Sequence, residues 1–155
     1  MNDVDARTQP YWNPTVPELT VSSLKVSLEF YTAVLGFSVR FERPSPPFAY
    51  LERGPVQLML EQEHTGGWKV APLERPLGRG LNLQMEVDAL DPMLDALERV
   101  QHPLFRPLSE SWYATSDTQE EGQLEFLVQD PDGYLLRFVQ VLGTRSLMRS
   151  QAETL

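Results

Sequence analysis

The sequence predicts an α+β fold in which one unit, strand–helix–strand–strand–strand, is written twice. Three observations predict it. Phe30-Tyr31-Thr32-Ala33-Val34-Leu35-Gly36-Phe37 reads as a helix that breaks at glycine into a strand. Asp130-Pro131-Asp132-Gly133-Tyr134 reads as a tight turn feeding the apolar run Leu135 to Val139. Finally, Val21-x-x-Leu24-x-x-x-Leu28 returns 66 residues later as Val87-x-x-Leu90-x-x-x-Leu94, with the same element order around it.

The first copy begins with residues 16–21, which alternate: Pro17, Leu19 and Val21 on one face, Val16, Glu18 and Thr20 on the other. Pro17 points to an edge strand or a first-residue position. The period then changes. Leu24, Leu28, Tyr31 and Leu35 form a helical stripe, with Ser22 or Ser23 as cap and Gly36 as stop. Phe37, Val39 and Phe41 share one face of the next strand. Pro44, Pro46 and Pro47 make a turn, and Phe48–Leu51 and Val56–Leu60 are two more strands.

Residues 62–79 lose periodicity and carry Gly66, Gly67, Pro72, Pro76 and Gly78, a long loop. The second copy opens with the strand Leu81–Val87. Asp91-Pro92 then starts a helix, Asp as cap and Pro in the first turn. Segments at 105–108, 112–113, 124–128 and 134–139 supply its later strands, and 114–122 reads as disordered. The expected organisation is an arm at 1–15, which Tyr11 and Trp12 can pin to the body or to a second subunit. One domain follows at 16–143, with module one at 16–61, a linker at 62–80 and module two at 81–143. A polar tail ends the chain at 144–155.

The formal charge of -9 disfavours nucleic acid and anionic membrane surfaces as partners. There is no cysteine, hence no disulfide and no thiolate nucleophile. Residues 1–9 lack the apolar run of a signal peptide, and nothing approaches a membrane span in length. The expectation is a cytoplasmic protein. No serine sits in a triad-like motif with His64 or His102, and Gly78-Arg79-Gly80 is too short for a phosphate loop.

Leu19-Thr20-Val21-Ser22-Ser23-Leu24, Phe30-Tyr31 through Leu35-Gly36-Phe37, and Asp130 to Tyr134 together resemble the vicinal-oxygen-chelate superfamily, over about residues 15–142. That group holds glyoxalase I, extradiol dioxygenases and bleomycin-resistance proteins. The resemblance implies paired βαβββ modules, each an open cupped sheet of mixed strands with the ligand in the cup, and a homodimer. It also implies four metal-ligand positions, which fall on Val16, Gln57, Asn82 and Arg137. Valine offers no donor atom, amides are weak ligands, and arginine is a permanent cation. The chain is therefore expected to use no metal and no cofactor, in the manner of the bleomycin-resistance members. Those members hold a large cationic drug on aromatic and acidic surfaces.

Strand alternation supplies the lining of the cup. With Leu19, Val21, Leu58, Leu60, Leu83, Met85, Leu136 and Phe138 in the core, the opposite face shows Glu18, Thr20, Gln57, Met59, Glu61, Asn82, Gln84, Glu86 and Arg137. An antiparallel sheet often leaves such a face simply wet. Arg137 contacts either a ligand or Glu18 across the cup. Trp112 and Tyr113, ahead of Asp117, Glu120 and Glu121, offer stacking and acidic charge for a planar cation, or else pack in the core or a dimer contact. The expectation is a metal-independent protein binding a small or medium organic molecule, with cations among the candidates. The alternative is a superfamily enzyme with Glu18, Glu61 or Glu86 as a general base.

Overall fold

The computed structural model describes residues 11–147. Two four-stranded sheets have the same topology. The first runs β1-β4-β3-β2, from β1 (Glu18–Val21), β2 (Ser38–Pro44), β3 (Pro47–Arg53) and β4 (Val56–Gln62). The second runs β5-β8-β7-β6, from β5 (Asn82–Glu86), β6 (Leu104–Ala114), β7 (Gln119–Gln129) and β8 (Leu135–Ser146). In each, the first strand pairs parallel with the last and the other pairs are antiparallel. The repeat inferred from apolar spacing is thus two βαβββ modules with mixed sheets.

Module one's helix α1 (Leu24–Glu29) is capped by Ser23, whose hydroxyl accepts from the Val26 amide, and continues into a π-helical turn at Phe30–Val34. Gly36 follows at φ 78°, the left-handed geometry that ends the helix. In module two, α2 spans Asp91–Arg99. Its cap is Leu90 and not Asp91, which lies inside the first turn and makes no capping bond. One apolar core draws on both sheets and both helices, from Leu19, Tyr31 and Leu60 on one side to Leu97, Phe126 and Phe138 on the other. No helix among the described residues is long and apolar enough to cross a membrane.

Five local expectations are corrected. The strand after Gly36 does not keep one face. Arg40 is an extra residue, a β-bulge between the pairs Val39↔Leu51 and Phe41↔Tyr50. Past the bulge the side-chain alternation is inverted. Phe37 is buried, whereas Val39 and Phe41 are 39% and 38% exposed. The proline turn shrinks to Ser45 and Pro46, since β2 is an edge strand and an edge tolerates Pro44. Residues 114–122 are not disordered. They close the long β6–β7 hairpin, in which Trp112 pairs with Gly122. Pro107 sits at a register shift in edge strand β6, which is why the sequence reads there as two short strands. β8 runs to Ser146, three residues into the segment expected as tail.

The modules are joined at the Asp130–Tyr134 turn. The Asp130 carboxylate accepts from the Tyr31 hydroxyl at 2.9 Å and from the amides of Asp132 and Tyr134 at 2.9 Å. The Asp132 carboxylate accepts from the Ser22 hydroxyl at 2.6 Å and from Arg75 Nη2 at 2.7 Å. The Tyr134 hydroxyl donates to the Thr20 carbonyl at 2.8 Å. Gly133, at φ 97°, lies where a Cβ would come within 2.4 Å of Pro76, so side chains are excluded twice over. Burial pushes the Asp130 carboxyl up, against the pull of its donors. Burial and the neighbouring Asp130 carry the Tyr31 phenol well above its ordinary value, and burial first among its causes takes Tyr134 to about 12. Both phenols are therefore firm donors at neutral pH.

Tyr31→Phe should cost about 1–3 kcal/mol at neutral pH, because Asp130 loses a donor while staying buried. Losing that donor raises the Asp130 pKa further. The penalty should therefore shrink as pH falls and the carboxyl protonates, which urea titrations at two pH values would show. An equal penalty at both would mean that Tyr31 acts through packing alone.

Candidate functional site

Cross-strand register sorts the cup face of module one into rows. One row is Glu18–Met59–Tyr50–Phe41; the next is Thr20–Glu61–Phe48–Arg43. Arg43 belongs to this face only because of the bulge at Arg40.

The lower part of the cup is filled by the chain itself. Trp12 meets Tyr50 and Phe41 edge-on at 4.9 and 6.0 Å, and Phe41 stacks on Tyr50 at 5.5 Å. The Arg40 guanidinium covers Trp12 at 4.4 Å and pairs with Glu52 through Nε at 2.9 Å. Gln57 is only 6% exposed and its amide is fully engaged. Its Nε2 donates to the Tyr11 carbonyl at 2.7 Å, and its Oε1 accepts from the Asn13 amide at 2.8 Å and from the Tyr50 hydroxyl. Tyr11 and Trp12 thus pin residues 11–13 to module one.

The upper part stays open. A cavity of about 520 Å³ is lined by Glu18, Thr20, Arg43, Pro46, Glu61, His64, Gly66 and Trp68. Glu61 Oε1 and His64 Nε2 lie 2.8 Å apart. Glu18 has no hydrogen bond or ion pair among the described residues. Its carboxyl is raised above the ordinary value, by burial first and by Glu61 second, with Arg43 pulling the other way. Trp68 stands at the rim, 95% exposed. The sequence marks Glu18, Met59 and Glu61 through alternation, and the structure brings them together. It does not mark Arg43, whose facing depends on the bulge. Nor does it mark His64, which a loop folds back onto Glu61.

In module two the corresponding face carries paired charges. Arg137 pairs with Glu125 of the adjacent strand, at 2.7 Å from Nε and 2.6 Å from Nη2, and not with Glu18. Glu125 also accepts from Ser111, Tyr113 and Gln123 at 2.8–3.1 Å. Burial raises the Glu125 carboxyl, but the donors Gln123, Arg137 and Tyr113 outweigh it, and the net shift is downward. Glu125 is a further residue that sequence reasoning missed; alternation alone places it on this face, two positions from Gln123. Asn82, Gln84 and Glu86 lie exposed on edge strand β5, opposite Leu135, Arg137 and Val139. Trp112 and Tyr113 point to opposite faces and form no joint platform. Tyr113 meets Arg137, while Trp112 lies under the Arg145 guanidinium at 3.8 Å and over Gly122.

The four positions implied as metal ligands do not suit a metal. Val16 has no donor, the Gln57 amide is spent, and Arg137 holds a positive charge already matched by Glu125. Among the described residues no three His, Asp or Glu side chains are grouped to hold an ion.

The family model described as Glyoxalase/Bleomycin resistance protein/Dioxygenase superfamily matches residues 13–138, which takes in both modules up to the start of β8. The chain belongs to this superfamily. A bleomycin resistance protein from Geobacillus stearothermophilus is 26% identical over 136 residues, 81% of this chain and 95% of that protein. A solved superfamily member from Vibrio splendidus 12B01 is 36% identical, covering 82% of this chain and 97% of its own, with a TM-score of 0.38. TioX from Micromonospora sp. ML1 shares the fold at a TM-score of 0.62, with 18% identity over 84% of this chain and 100% of its own.

Glu125→Gln should destabilise the protein by about 1–3 kcal/mol at neutral pH, since Arg137 loses its counter-charge. Because the folded pKa of Glu125 is depressed, its contribution is full above the unfolded value and fades as pH falls through the folded one. Wild type and variant should therefore converge in thermal stability in acid; parallel curves would contradict the ion-pair account.

Proposed function

We propose that this protein is a metal-independent binder of a cationic organic molecule, held in the open cup of module one. The observation that carries the reading is the cavity of about 520 Å³ with Glu18 and Glu61 on its floor and an exposed indole at its rim. That volume suits a small or medium ligand. A carboxylate with no partner among the described residues, next to a second one, favours a cation. The solvent-facing Trp68 ring is free to stack on a flat cationic group. The likeness to bleomycin resistance proteins supports the same reading, with sequestration rather than turnover as the act. Glu61 and His64 hold each other, and Glu18 is the carboxylate left for the ligand.

A calorimetric titration with bleomycin and a panel of aromatic amines and amidines should give saturable binding for at least one compound. Glu18→Gln should weaken it about tenfold, and Trp68→Ala several-fold. Unchanged affinity in both variants would remove the ligand from this cup. Because the Glu18 carboxyl is raised, binding should begin to fall at a higher pH than for an ordinary carboxylate near ~4.3. The fall should be absent in Glu18→Gln. An identical pH profile for wild type and variant would exclude Glu18 as the contact.

A further inference from the structure

Resting on that reading, we infer that the ligand of the module-one cup is amphoteric, with a cationic group at one end of a flat body and an anionic group at the other. The inference starts from Arg43. Arg40, Arg75, Arg137 and Arg145 each have a carboxylate partner. Arg43 lines the cavity with none among the described residues. Its guanidinium lies over the Phe48 ring at 4.0 Å. Stacking by its face leaves the N–H edge available, and that edge matches a planar carboxylate. Across the same cavity Glu18 is likewise without a partner, while Glu61 is already engaged by His64.

The cup therefore offers one open charge of each sign. A simple cation drawn to Glu18 would be repelled by Arg43, and a simple anion drawn to Arg43 would meet Glu18 and Glu61. A ligand carrying both signs satisfies both. The two residues sit on the opposite edge strands of the first sheet, β1 and β2, three strand spacings apart. At ~4.8 Å per spacing this is roughly 14 Å between strands. Both side chains line the cavity between them, which leaves room for about one ring between the two charges. Trp68, at the rim, supplies flat apolar surface for that ring.

The test is calorimetric titration of the full chain with three matched compounds: benzylamine, benzoate and 4-(aminomethyl)benzoate. The last should bind about fivefold or more tighter than either of the others. Arg43→Gln should erase its advantage over benzylamine while leaving benzylamine binding equal or tighter; Arg43→Lys should keep part of the advantage. Glu18→Gln should erase its advantage over benzoate. Arg43 and Glu18 are exposed, and thermal melts would confirm that the variants fold. Benzylamine binding as well as 4-(aminomethyl)benzoate, or an advantage that survives Arg43→Gln, would overturn the amphoteric ligand and leave cation binding standing. Silence from all three compounds would overturn it too; silence from the cation panel as well would take down the wider reading with it.

Discussion

The two carboxylates of the Asp130–Tyr134 turn are the constraint on which the rest of the molecule depends. Each module has its own sheet, and no strand pairing joins the two among the described residues. Asp130 reaches Tyr31 in the first module's helical segment, and Asp132 reaches Ser22 and Arg75. Burying two acids so close together would be costly without donors. Hydroxyl, amide and guanidinium groups from module one, the linker and module two meet that cost at a single place. The site is affected directly. Thr20 and Ser22 belong to, or follow, the four-residue edge strand that carries Glu18. By holding Ser22 and the Thr20 carbonyl, the turn sets the position of one wall of the cup.

Much of this was legible in the residues. Helical stripes, Gly36, the Asp130–Tyr134 turn and the doubled apolar spacing are local signals, and each corresponds to an element in place. The alternation that put Glu18, Met59 and Glu61 on one face is likewise local. What escaped was non-local or depended on a break in period. A bulge at Arg40 leaves no mark in the pattern, because Val39 and Phe41 are both apolar and look like neighbours on one face. The β6 strand was hidden by Pro107, which an edge tolerates at a register shift. The Arg137–Glu125 pair needs knowledge of which strands are adjacent. Without strand order, Glu18 and Glu125 were equally available as partners in charge, and only pairing of β7 with β8 decides between them.

The two cups have taken different courses from one plan. In module two, Arg137 and Glu125 satisfy each other, and Tyr113, Ser111 and Gln123 complete the carboxylate's hydrogen bonds. Such a network stiffens the sheet and leaves little unsatisfied polarity to offer a ligand. In module one the same satisfaction is confined to the lower half, where residues 11–13 close over Gln57 and Tyr50. In the upper half, Glu18 and Arg43 have no partner among the described residues. The asymmetry between the two modules thus lies in side chains rather than in topology.

The bulge at Arg40 has a consequence for how this surface can change over time. A substitution in a pocket alters one side chain. A bulge on an edge strand acts on every residue beyond it, because it shifts the pairing by one and exchanges the two faces of the strand. Phe41 and Arg43 are presented to the cup as a set, and the same strand paired without the bulge would withdraw them together and present Arg40 and Glu42 instead. Since β2 has a partner on one side only, such a change disturbs a single ladder. What this edge strand presents to the cup is therefore set by backbone register as well as by composition, at a boundary of the sheet where the fold can absorb a change.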